Sequence, residues 1–150
     1  MAIARGAGTE IIRSASFEHV TDTATAMIWG VQHHIYTVLS IIIMNDTIGA
    51  TGAHNDVYLT AYDAYGSDTA STIWIFQQPT GLVKETFVWN DKFSFNGYEP
   101  AAYTEPLNTN AEQLIIAAQG SAVPQRLQMT TTDSDVDLDV HVTFIDQNNA

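Results

Sequence analysis

Residues 133–144 read Asp-Ser-Asp-Val-Asp-Leu-Asp-Val-His-Val-Thr-Phe. A strand sends successive side chains to opposite faces. Asp133, Asp135, Asp137, Asp139 and His141 therefore share one face, and Val136, Leu138, Val140, Val142 and Phe144 share the other. The chemistry open to such an acidic row is cation binding. Alternate carboxylates stand roughly 6.6 Å apart at their Cα atoms, close enough to share a hydrated ion or to hold an oxygen-preferring one with help from a neighbouring strand. The Asp-x-Asp-x-Asp opening is not an EF-hand loop. Leu138 stands at the sixth position, where that loop needs glycine, and Phe144 at the twelfth, where it needs a bidentate glutamate. Three plainer roles remain for the row: a solvated sheet face, a contact for a basic partner, or like charges that discourage edge pairing. Arg126, on the strand expected to precede it, would relieve part of the repulsion.

The histidines are the second set of chemically capable groups. His33 and His34 are adjacent and face opposite ways on a regular strand, so they cannot jointly grip one ion. His19, His54 and His141 lie in other elements and could join them in a zinc site only through the fold. Hydrogen-bonded core or interface histidines are the expectation. Nucleophilic catalysis finds no Gly-x-Ser-x-Gly elbow, and no pair of carboxylates is marked out for glycoside hydrolysis. Gly6-Ala7-Gly8 follows no strand and cannot serve as a phosphate loop. No catalytic, cofactor or metal residue is assigned, and an enzyme is not expected. Trp29, Trp74 and Trp89 could stack on sugars or enter a protein interface if exposed. The expectation is that Trp74, Phe87 and Trp89 fill the core.

These residues need a framework, and strand signals dominate the chain. Residues 11–20, 25–31, 56–62 and 72–77 read as strands. Residues 34–44 are apolar on both faces, which predicts a central strand. Residues 45–55 and 63–70 are loops rich in Gly, Asn and Asp. Residues 82–89 and 92–98 flank Asn90-Asp91 and read as a hairpin. Residues 125–131 and 135–145 read as the last hairpin. Thr109-Asn110-Ala111-Glu112 is a capping box and Gly120 a stop signal, predicting one short helix over 110–119. The fold class is all-β: an antiparallel β-sandwich, with a jelly roll as the more specific expectation. Residues 1–9 read as a flexible arm, 10–146 as one domain and 147–150 as a tail.

Composition narrows the partners. The 150 residues suit one domain with a self-sufficient core. The formal net charge is −12, and Arg5, Arg13, Lys84, Lys92 and Arg126 are the only basic residues besides histidine. A phosphate backbone calls for clustered Lys and Arg, so neither nucleic acid nor an anionic membrane is an expected partner. There is no cysteine, which excludes disulfides and thiolate chemistry. The opening residues lack the apolar region of a secretory signal. The longest apolar stretch, residues 35–44, is far shorter than the ~20 residues that span a bilayer.

Taken as a type, the chain resembles small virion proteins of tailed bacteriophages, above all capsid decoration (cement) proteins. The likeness lies in a cysteine-free β-domain, a Gly/Ala-rich start (residues 1–8), the opening Arg5-Gly-Ala-Gly-Thr-Glu-Ile-Ile-Arg13 and the close Thr143-Phe-Ile-Asp-Gln147. It carries over no functional residue. It implies a non-enzymatic structural protein of the virion that stabilises the shell, binds the major capsid protein and forms a homo-oligomer, with a trimer favoured. The alternative from the aromatic residues is a carbohydrate-binding β-sandwich or a receptor-binding tail or neck component.

Overall fold

A computed structural model of the chain describes residues 10–31, 33–62, 71–99 and 123–148. The strands are β1 (Glu10–Val20), β2 (Thr25–Trp29), β3 (His34–Thr47), β4 (His54–Tyr62), β5 (Ser71–Pro79), β6 (Thr86–Trp89), β7 (Phe93–Asn96), β8 (Tyr98–Glu99), β9 (Val123–Pro124), β10 (Arg126–Thr131) and β11 (Asp137–Asn148). No helix occurs among the described residues, and the helix expected over 110–119 lies outside them, as does the arm over 1–9. β11 runs through Asn148, two residues past the domain end expected from sequence.

Two antiparallel sheets pack face to face as a β-sandwich. Sheet A has the order β1-β11-β3-β6, with β7 also paired to β3, and sheet B has the order β2-β10-β4-β5. Strict alternation makes β11 the reference strand. Val136, Leu138, Val140, Val142 and Phe144 are all buried, as the apolar row requires. They meet Leu127 and Met129 of β10 and Val57 and Leu59 of β4 in one hydrophobic cluster. Each such side chain contributes about 1.5–3 kcal/mol by leaving water. One polar pair joins the layers inside: Asn55 Nδ2 donates to Asn45 Oδ1 at 3.1 Å, with both residues fully buried.

β3 is central, lying between β11 on one side and β6 and β7 on the other. Its apolarity on both faces has a local cause. Thr143 pairs with Ser40 but Phe144 with Val38, so Leu39 is an extra residue. The buried set therefore changes phase, from Tyr36 and Val38 to Ile41, Ile43 and Asn45.

Both expected hairpins are overturned. β6 pairs with residues 41–44 of β3 and β7 with residues 35–38, so the two run in line along the same neighbour. A two-residue hairpin turn of the favoured kind needs positive φ. Neither Asn90 nor Asp91 has it; among the described non-glycine residues His19, His33 and Lys84 do. Residues 90–92 form a local interruption instead, where the Trp89 indole donates to the Asp91 carbonyl. Likewise β10 and β11 belong to different sheets. Their apolar rows face one another across the core rather than lying side by side, and residues 132–136 cross between the layers.

Backbone hydrogen bonds link the strands at one end of the sandwich. Gly30 N donates to Gln125 O, Gln125 N to Gly97 O and Gly97 N to His34 O, each at 2.8 Å. A Cβ on Gly97 would stand 1.9 Å from the Val31 carbonyl oxygen, and one on Gly30 2.0 Å from that of Gly97. Only glycine admits this approach.

Candidate functional site

The acidic row divides at the start of β11. Asp133 and Asp135 precede the strand. Asp133 is a turn brace: its carboxylate accepts from Asp135 N at 2.9 Å and from Ala50 N at 2.7 Å. Those two amides hold its pKa below the usual carboxylate value. Asp137, Asp139 and His141 follow on the outward face of sheet A. Asp137 Oδ2 lies 2.8 Å from His19 Nδ1 across to β1. That hydrogen bond, and then the charge of Asp137, raise the His19 pKa. His141 Nδ1 lies 2.7 Å from Ser16 Oγ. Among the described residues no group of three or more His, Asp or Glu side chains is arranged to hold a metal ion.

The histidines are spread over separate partners. His33 sits in the turn before β3 with φ 66°, while His34 points inward and contacts Asp146 Oδ1 at 2.6 Å. His54 contacts Asp56 Oδ1 at 2.6 Å. Sequence reading missed Asp146 altogether. It continues the inward row of β11 one step past Phe144, and it accepts from Arg13 Nε at 2.8 Å as well as contacting His34. Tyr36 stacks on His34 with ring centroids 6.1 Å apart. Burial, and then the charge of Asp146, raise its pKa. This group ties β1, β3 and β11 together at the end of the sandwich. The signal for Asp146 was its parity with Val142 and Phe144.

Arg126 does not relieve the acidic row, because β10 lies in the other sheet. It pairs in register with Trp29 of β2 and Thr60 of β4, and its guanidinium sits 4.8 Å from the centre of the Trp29 ring. Its Nε is buried without a hydrogen-bond partner among the described residues, and it forms no ion pair among them. On the next row outward, Tyr58 of β4 pairs with Trp74 of β5, their ring centroids 5.0 Å apart and inclined at 56°. Thr60 Oγ1 donates to Gln128 Oε1 at 2.8 Å between the two rows.

The outward rows of sheet B therefore run through exposed Trp29 and Trp74, half-buried Arg126, Gln128 and Tyr58, and buried Thr60. Trp29 is 57% exposed and Trp74 53%. This corrects the expectation that Trp74 fills the core. Trp89 and Phe87 do pack against the core, where Phe76 stacks on Trp89 at 4.7 Å and meets Phe87 at 5.4 Å. The reason for the difference is register. Ile75 is an extra residue on β5, so Phe76 pairs with inward Val57 while Trp74 pairs with outward Tyr58. The two exposed tryptophans lie on the outer strands of sheet B, three strand spacings or about 14 Å apart across it. The face offers aromatic stacking, one cation and amide and hydroxyl groups on a rigid sheet. It suits binding rather than bond-making.

No family model matches the chain, and no curated protein matches it. Among solved structures it is similar to a protein of the disulfide-linked pili of Bacillus endospore appendages, with a TM-score of 0.44, 15% identity and coverage of 100% of this chain and 97% of that one. It is also similar to a chain from the infectious bursal disease virus Gt strain, with a TM-score of 0.30, 12% identity and coverage of 95% of this chain and 32% of that one. Likenesses of this size assign no function.

Proposed function

We propose that this chain is a non-enzymatic structural protein of a phage virion, a decoration protein that docks on the shell through the outward face of sheet B. The observation that carries the reading is the set of exposed Trp29 and Trp74 with half-buried Arg126 and Tyr58 between them. Tryptophan, tyrosine and arginine are the residue types that dominate binding energy at protein interfaces. Here they stand on paired strands, so little ordering entropy opposes contact. Two further features support it. The strand order β1-β11-β3-β6 over β2-β10-β4-β5 fits the jelly roll expected from sequence, an arrangement that recurs in capsid and lectin domains. The sequence resemblance to decoration proteins points the same way.

The deciding experiment is fractionation of intact virions containing this chain, with copy number from quantitative mass spectrometry. The expected result is a copy number that scales with the capsomers and persists on tailless shells. Presence only in tail fractions, or absence from washed virions, overturns the reading.

A second reading, carbohydrate binding, is favoured by one observation: two exposed tryptophans flank hydrogen-bonded Gln128 and Thr60. Quenching of tryptophan fluorescence by an oligosaccharide, lost in Trp29→Ala and Trp74→Ala, would establish it. Silence across a glycan array would remove it.

A further inference from the structure

Among the described residues, the edges of the two sheets differ in length and charge. On sheet A, β1 carries Glu10, Arg13, Glu18 and His19, and its pairing shifts between Phe17 and Val20, where His19 takes φ 59°. At the opposite edge β6 and β7 have four residues each, and Asp91 and Lys92 fall in the break between them. On sheet B, β2 has five residues. Charge, bulges and shortness are the devices by which sheets resist edge pairing.

β5 is different. It has nine residues, Ser-Thr-Ile-Trp-Ile-Phe-Gln-Gln-Pro, with no charge and with proline only at its end. Among the described residues it pairs on one side only, with β4. Its pairing with β4 shifts at the extra Ile75 and again between Thr60 and Tyr62 of β4, so length and lack of charge, not regularity, distinguish it; residues 72–74 and 76–79 keep continuous register. Ile73 is 40% exposed beside the exposed Trp74. A long, uncharged strand of high β-propensity with open backbone groups is a template for another strand.

We propose that β5 is a homotypic assembly edge: β5 of one copy pairs antiparallel with β5 of a second copy, and sheet B continues across the interface. Charge identifies the occupant. The chain carries a net charge of −12, so two copies repel wherever carboxylates meet. β5 is the long edge that brings no charge from either copy. Self-pairing is isologous and closes at two. Pairing of β5 with β1 of a neighbour would be head-to-tail and open-ended, and would set a neutral strand against Glu10, Arg13 and Glu18. The pair differs from the trimer expected from sequence resemblance. It also joins two Trp29–Arg126–Tyr58–Trp74 faces into one surface. The proposal does not rest on shell binding: a dimer that ignores shells leaves it standing, and a monomer that binds shells removes it alone.

The chain has no cysteine, so single cysteines report contacts without background. The experiment uses the full chain. Its mass is measured by sedimentation over a wide concentration range, and Thr72→Cys, Trp74→Cys and Gln77→Cys are oxidised beside Ser14→Cys and Ser16→Cys on β1. The expected mass plateaus at twice 16.4 kDa, and the best β5 cysteine cross-links at least ten-fold more than either on β1. Ile73→Lys and Gln77→Lys each weaken association at least ten-fold, while Leu82→Lys, at an exposed position outside the strands, leaves it unchanged. Circular dichroism reports folding, and the second lysine variant stands in if the first does not fold. A monomer at all concentrations, growth without a plateau, or a dimer indifferent to the folded lysine variants overturns the proposal.

Discussion

On the outward face of sheet A four polar pairs answer one another, while Asp137 Oδ1 has no hydrogen-bond partner among the described residues. Ser14 meets Thr143, Ser16 meets His141, Thr37 meets Ser94 and His19 meets Asp137, each across a strand boundary. On the outward face of sheet B the central features answer less. Trp29 and Trp74 stand in solvent, and Arg126 lies over an indole rather than against a carboxylate. The strand alternation is the same on both sheets, so the contrast lies in the outward residues alone. A face whose polar groups are already paired offers a partner little. A face with exposed aromatics and a cation that has no ion pair among the described residues leaves free energy to be gained by contact.

If the contrast is confined to the outward faces, the inward ones must be equivalent, and truncation there gives the largest effects. Leu127 of β10 and Leu138 of β11 are both fully buried. Leu127→Ala and Leu138→Ala should each destabilise the fold by about 3 kcal/mol, read from urea unfolding. A cost well under 1 kcal/mol for one and not the other would show that the layers share the core unequally.

The second effect tests the faces directly. Trp74→Ala should weaken shell binding by roughly 30-fold or more, the scale of an interface hot spot, with little change in melting temperature. Ser14→Ala and Thr143→Ala on sheet A should leave binding within about two-fold. Equal losses on both faces would end the comparison, and loss on sheet A alone would invert it.

How much of this was legible follows from where information is local. The inward row of β11 could be read because alternation is a property of consecutive residues. The run from Asp133 to Phe144 told which of its side chains are buried. Neighbour identity was not local. Whether β10 pairs with β11, or residues 86–89 with residues 93–96, depends on which sheet each strand enters, and a two-residue spacing looks the same for a hairpin and for an interruption. Trp74 was misplaced for a related reason. One extra residue, Ile75, reverses the parity of β5, and no residue type announces it. The His–Asp contacts of His19 and His34 span more than a hundred residues and become visible only once β1, β11 and β3 are known to be neighbours.

A smaller effect distinguishes self-satisfaction on sheet A from mere proximity. The folded His19 pKa lies above its ordinary value of 6.5. The charged pair with Asp137 therefore contributes fully below that ordinary value, and the contribution is lost as pH rises through the raised one. His19→Gln should lower the melting temperature at pH 5.5 and change it little at pH 8.5, and salt should shrink the difference. In an Asp137→Asn background the same substitution should have no pH-dependent effect, because its partner is gone. Asp133 has the opposite sign. Its pKa is depressed from 3.8, so its bracing is present above that value and fades as pH falls through the lowered one. Asp133→Asn should cost stability at pH 7, and the cost should shrink as the pH falls through the lowered pKa.

The smallest effect concerns the two carboxylates that head β11. Asp137 and Asp139 are partly exposed and occupy the outward parity, where substitutions usually cost within about 0.5 kcal/mol. Asp137→Asn with Asp139→Asn should leave the fold intact at pH 8.5, where His19 contributes least. Adding calcium or magnesium should stabilise the parent and the double variant equally. A cation-dependent rise in melting temperature seen in the parent and absent from the variant would make this part of sheet A a binding face too. The contrast between the sheets would then be one of ligand type, a cation on one and a macromolecular surface on the other, rather than of occupied against open.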